Sequence, residues 1–176
     1  MSIATTPPPG TDEFNEYYLG YVSLVPAGDL VTLLHTQGDD VRRLVADAGE
    51  SRGGYRYAPA KWSIREVVGH MSDTERIFSY RALRIARNDP TPLASFDENA
   101  YADIAGHDAH SLAALADEWS VVRNASVALF ASLDDAALVR RGTASGHTLS
   151  ARAAGFITYG HTAHHLRILR ERYLGG

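Results

Sequence analysis

The chain contains no cysteine, which rules out disulfides, cysteine-type zinc sites, iron–sulfur clusters and a thiol nucleophile supplied by the protein. Any metal ion would have to be held by histidine, aspartate and glutamate. Long apolar runs are also missing: nothing approaches the ~20 residues that a membrane helix requires. The opening stretch MSIATTPPPGTDEF has neither a basic n-region nor an apolar h-region, so it does not read as a signal peptide, and the cytoplasm is the expected location. Basic clusters are scarce, with only the pairs Arg42–Arg43 and Arg140–Arg141, and the net charge is −4. A nucleic-acid partner is therefore not expected, because neutralising phosphates needs a dense basic surface.

What is present is ordinary for a compact soluble protein: 176 residues, 45% hydrophobic and 22% charged. That length suits one domain and is enough to bury a core without staples. Residues 1–18, with PPPG at 7–10, read as an N-terminal arm that is poorly ordered or hugs the surface, and residues 19–176 as the domain.

Four long helices are expected. The first starts near 27–29 and ends at 48, where GESRGG stops it. The second starts at Ser63, whose spacing to Glu66 matches a capping box, and ends at NDPTP. The third covers 111–133 and the fourth 148–173, with a polar loop, DDAALVRRGTASGH, before it. No stretch reads as a convincing strand. The connection over 88–110, with one short helix near 97–104, is long for a bundle and favours a crossover between helices two and three. The fold class is all-α, a four-helix bundle.

The chemistry lies in GHTAHHLRIL at 160–169. At 100° per residue, Ala154, Ile157 and Ile168 all fall within about 40° of His161, which therefore sits on an apolar stripe. His165 lies on the same face one turn on, a spacing that lets two imidazoles meet on one ion. His164 sits at the edge of the stripe. Two readings stand: neutral imidazoles hydrogen-bonded inside the bundle, or metal ligands.

A third ligand would decide between them, and His70 is the best placed, on the second helix among Val67 and Ile77. His35 is a further possibility on the first helix. It and the connection histidines His107, His110 and His147 are expected to be solvated. HTAHH differs from the zinc-protease pattern H-E-x-x-H at Thr162, where the general-base glutamate would stand.

The run KWSIREVVGHMSDTERIFSYRALRIARND at 61–89, followed by GHTAHHLRIL, resembles the DinB/YfiT-like family of small helical metalloproteins. YYLGYVSLVPAGDL at 17–30 is similar to that family's approach to its first helix. The resemblance runs from about Tyr18 to Tyr173. It implies a bundle of DinB/YfiT type, metal ligands at His70, His161 and His165, and a divalent ion, usually nickel or zinc and sometimes iron or manganese.

The family includes members described as metal-dependent hydrolases and others that transfer or isomerise with bacillithiol, mycothiol or glutathione. The expected function is thus a metal-dependent hydrolase or thiol S-transferase acting on a small molecule. The alternative is a non-catalytic stress-response or binding protein whose histidines or metal are structural. The resemblance also implies a homodimer.

No catalytic residue beyond the metal is assigned. Thr74, on the inward face near His70, and His164 are weak candidates. Glu75 matches an acidic position often seen after the family's first histidine, yet points about 140° away from His70 on the helix, so a surface charge or a bond between helices is an equal expectation for it. Trp62, just before the capping box, is expected to staple the helix start rather than enter a pocket, and Phe96 and Tyr101 are possible pocket walls.

Overall fold

The computed structural model describes residues 5–175. It contains α1 (Leu19–Val22), α2 (Leu30–Ala48), α3 (Ile64–Ala86), α4 (Glu98–Ala105), α5 (Leu112–Ala131), α6 (Asp135–Leu138) and α7 (Ala151–Ile168), with a hairpin of β1 (Arg141–Ala144) and β2 (His147–Ser150). The four long helices α2, α3, α5 and α7 form the bundle. The chain passes from α3 to α5 by a crossover that carries α4.

Each long helix begins with a side-chain cap that satisfies an otherwise orphaned backbone donor, a contribution of about 1 kcal/mol apiece. Asp29 accepts from the Thr32 N–H at 2.8 Å, Ser111 from Ala114 at 3.1 Å, and Ser150 from Ala153 at 3.0 Å. At α3 the expected capping box is complete: Ser63 Oγ accepts from the Glu66 N–H at 3.1 Å, and Glu66 Oε2 accepts from the Ser63 N–H at 2.6 Å.

The start of the last helix corrects the sequence reading. Residues 148–150 are strand, paired antiparallel with 141–143, and the helix begins at Ala151. Ser145 (φ 54°) and Gly146 (φ 78°) form the two-residue turn, the geometry that matches strand twist in a hairpin. Leu149 is buried by the pairing, and Leu93 of the crossover joins on, donating its N–H to Thr143 O at 2.9 Å and accepting from Ser145 N at 2.9 Å. Four-residue strands carry too little alternation to stand out in a sequence. At its other end α7 widens into a π-helical turn, Leu169–Leu174, tied down where the Tyr173 hydroxyl donates to Trp62 O at 2.7 Å.

Of the N-terminal arm, residues 1–4 lie outside the described residues. Glu13 is buried and accepts from Ser150 Oγ at 2.7 Å and Arg152 Nε at 2.8 Å, and Phe14 enters the core. The Arg152 hydrogen bonds hold the Glu13 carboxyl down at about 2.

The core lies in two halves. One gathers Leu30, Leu34, Phe78, Phe130 and Ile157, the other Val41, Met71, Trp119 and Leu166. On every bundle helix a polar residue stands between the two: Gln37 on α2, Glu75 on α3, Arg123 on α5 and Thr162 on α7, all buried. Arg123 uses all five of its N–H donors here. Nε and Nη2 bond the two Glu75 oxygens at 2.7 and 2.8 Å, Nη1 bonds Leu34 O at 3.0 Å and Gln37 Oε1 at 2.7 Å, and Nη2 also reaches Thr162 Oγ1 at 3.1 Å.

Candidate metal centre

α3 and α7 pack along their length, and the histidines that the sequence places on their inward faces meet there. His70 Nε2 is 2.9 Å from His161 Nε2, which is 3.1 Å from His165 Nε2, and one ligand atom from each of the three lies within 4.8 Å of the other two. His70 and His161 are buried, and His165, at 9% exposure, is the member that reaches a cavity. No carboxylate joins the group among the described residues.

The donor set fits a cation better than it fits hydrogen bonding alone. A ring nitrogen in the imidazole plane holds either one proton or one lone pair. His161 Nε2 therefore cannot bond two other Nε2 atoms at once, whereas one ion could accept all three lone pairs. Two nitrogens on an ion at ~2.1 Å, subtending 90–109°, are about 3.0–3.4 Å apart, close to the spacings seen.

Electrostatics keep these rings in the form that a metal needs. Burial pushes His70 down to about 4. Burial, reinforced by the neighbouring histidines, holds His161 and His165 well below the ordinary imidazole value. All three are neutral at pH 7. Thr74 Oγ1 lies 3.5 Å from His70 Nδ1, so it is at most a weak orienting contact, and His165 Nδ1 has no partner.

The other sequence candidates separate. His164 stays out of the convergent group, half-buried, with its ring 5.2 Å from that of His165 and 5.3 Å from that of Tyr21. Glu75 is neither a solvated charge nor turned toward the histidines: it is the interhelical bond, with both oxygens on Arg123. His35, His110 and His147 are exposed as expected, but His107 is not. Its ring packs over Gly69, where a Cβ would come within 2.3 Å of it, and its Nε2 stands 3.6 Å from Asp73 Oδ2.

Trp62 corrects another expectation, since its ring lies 4.6 Å from that of His70 and it lines the cavity beside His165. That cavity, about 230 Å³, is also walled by Tyr57, Lys61, Asn99 and Tyr173. Phe96 and Tyr101 pack on each other, 5.5 Å between centroids, and are not among its walls.

Two contributors escaped the sequence reading. Tyr21, on the four-residue α1, lays its ring 5.5 Å from that of His161. Close approach of α1 to α7 depends on Gly160, where a Cβ would be 2.0 Å from Tyr21 O. Arg123 left one visible signal, a charge four residues after Trp119 on the buried stripe of α5.

Comparison with known proteins gives the same architecture. The profile of the DinB superfamily matches residues 33–169. Among solved structures, YfiT from Bacillus subtilis, described as a probable metal-dependent hydrolase with an unusual four-helix bundle topology, aligns with a TM-score of 0.73 at 16% identity, over 93% of this chain and 89% of its own. A mycothiol-dependent maleylpyruvate isomerase aligns with a TM-score of 0.66 at 15% identity, over 84% of this chain and 60% of its own. At such identities the likeness is one of fold. No curated protein matches the sequence significantly.

Proposed function

The chain belongs to the DinB superfamily, and from that premise we propose that it is a metal-dependent enzyme acting on a small molecule, with a divalent ion held by His70, His161 and His165. The observation that carries this reading is the meeting of three neutral Nε2 atoms beside an open cavity. Three protein donors with free positions facing solvent are the pattern of a catalytic rather than a structural site. The ion is nickel or zinc by resemblance to the family, with iron or manganese as alternatives, since three imidazoles alone do not choose among them.

Once bound, the ion supplies a positive centre that favours hydroxide or thiolate at neutral pH. Among the described residues no carboxylate joins that centre, so an anionic oxygen or sulfur from the substrate is favoured there. Trp62 and Tyr173 form an aromatic wall on the approach. Burial pushes the Tyr21 phenol up to about 12, so the ring that packs 5.5 Å from that of His161 stays neutral.

Of the two reactions, transfer of a small-molecule thiol has the better support. Hydrolysis gains no assisting carboxylate here, since Glu75 is spent on Arg123. A thiol, with a reference pKa of ~8.5, needs only modest help to ionise, and a chain without cysteine must obtain it from outside. Hydrolysis remains a second reading through His164, the one half-exposed imidazole beside the group.

We also read the protein as a cytoplasmic homodimer, which light scattering on a sizing column tests. For the activity, the decisive experiment is metal analysis of untagged protein, followed by turnover of electrophiles with a panel of small thiols and of esters and amides alone. About one equivalent of metal, lost in His161→Ala, together with metal-dependent thiol transfer, supports the proposal. Equal and negligible metal in both proteins after supplementation would overturn it.

A further inference from the structure

The chain buries two arginines on its bundle helices, and they are treated oppositely. Arg123, 1% exposed, has five acceptor atoms, two of them the oxygens of a carboxylate. Arg81 is 2% exposed and has no carboxylate partner among the described residues. Its Nη2 donates to Ala94 O at 2.7 Å and to Ser145 Oγ at 2.9 Å. Its remaining hydrogen-bonding neighbour is the Tyr18 phenol, and no carboxylate or backbone carbonyl accepts from its Nε or Nη1 among the described residues. A buried arginine is ordinarily paired, because taking an uncompensated charge out of water is costly.

The surroundings of Arg81 suit a ligand. It forms part of the wall of a cavity of about 210 Å³, distinct from the one beside His165, together with Asn15, Tyr18, Phe78, Ser145 and His147. The guanidinium carbon stands 5.1 Å from the Phe78 ring centroid and 5.9 Å from that of Phe96. These contacts fix the plane of the cation but neutralise nothing. Burial pushes the Tyr18 phenol up and outweighs the opposing charge and hydrogen bond of Arg81, so the phenol stays protonated beside the guanidinium. One cation, spare N–H groups, a phenol and an aromatic floor are what a small organic acid needs: charge at one end and an apolar body behind it.

We propose that Arg81 anchors a binding subsite for the carboxylate of a small organic anion, in the cavity between α3, the hairpin turn and the N-terminal tyrosines. Arg81 lies eleven residues after His70 on α3, about 16 Å along the axis and on the same face. The subsite stands or falls independently of the metal centre, and a substrate long enough to reach both is not required.

The test is an NMR titration of the full chain, as purified and again after chelation, so that a failed metal centre does not count against the subsite. The probes are glutarate, its neutral diamide and inorganic phosphate. Glutarate is expected to give saturable shifts at the Arg81 Nε–H and at Ser145 and Tyr18 in both forms, and the diamide none. Arg81→Gln should weaken glutarate by about tenfold or more, the scale of a lost charge-assisted hydrogen bond, and Arg81→Lys by less. Glutarate shifts that map elsewhere, equal binding of the diamide, or unchanged affinity in Arg81→Gln would each overturn the proposal. Phosphate binding in place of glutarate would overturn the assignment to a carboxylate. The mapping on the unsubstituted chain decides the matter even if Arg81→Gln does not fold.

Discussion

Arg123 and Glu75 face each other across the middle of the bundle as a two-point ion pair, Nε to Oε1 at 2.7 Å and Nη2 to Oε2 at 2.8 Å, with both side chains 2% exposed. The pair and its partners Gln37 and Thr162 form one polar layer, and Thr162 immediately follows His161. The threonine that stands where a zinc protease has its glutamate is therefore committed to the helix packing, not to a substrate.

Removing one member of that pair should cost far more than removing both. Arg123→Met leaves a buried carboxylate alone and is expected to lose about 3–5 kcal/mol. The double variant Arg123→Met, Glu75→Leu should recover most of that, because no stranded charge remains. Urea unfolding of the four proteins in a cycle measures it, and a double variant as unstable as Arg123→Met would contradict the assignment.

Metal should stabilise the fold through the histidine group and through nothing else. At a hundredfold excess of free zinc over its dissociation constant, the gain is about 3 kcal/mol. His161→Ala should show almost none of it, while His164→Ala keeps it, as read by thermal melts with and without added zinc.

Acid should destabilise the metal-free protein in a defined window. Burial holds the folded pKa of His70 at about 4 against 6.5 for a free imidazole, so between those values the unfolded chain binds more protons and stability rises with pH. The contribution is fully present above pH 6.5 and is lost as pH falls toward 4, by about 3 kcal/mol for His70 alone. His161 and His165 act in the same direction. Unfolding free energies taken at pH 7 and pH 5 should differ accordingly in the native sequence, and less in His70→Gln.

Gly160 and Gly69, the glycines with the tightest surroundings among the described residues, should respond differently to alanine. At Gly160 the obstacle is Tyr21 backbone oxygen, 2.0 Å from the new Cβ, and at Gly69 it is the His107 ring, 2.3 Å away but on a rotatable side chain. Gly160→Ala is expected to lose about 2 kcal/mol or more through overpacking, and Gly69→Ala less. Only Gly160→Ala should also disturb Tyr21 and the ring of His161, visible in the histidine NMR signals.

Trp62 offers a direct optical readout. Of the two tryptophans, it alone touches the histidine group, at 4.6 Å from the His70 ring, while Trp119 lies under Arg123. Nickel or cobalt should quench part of the emission in the unsubstituted protein and almost none in Trp62→Phe. Quenching that survives in Trp62→Phe would move the ion away from His70.

The helices and the faces that they bury were legible along the chain, because caps and a 3.6-residue apolar period are local properties. Ser63 with Glu66 fixed where α3 starts, and the spacing of His161 and His165 put both rings on one inward face. What those faces meet depends on how the helices pack in three dimensions. His70 is joined to His161 by the packing of α3 on α7, and Glu75 became an interhelical bond because α5 sets Arg123 opposite it. The same holds for the hairpin at 141–150, whose short strands needed Leu93 from the crossover. It holds too for Tyr21 and Trp62, which reach the histidines through contacts between segments that no periodicity along the chain encodes.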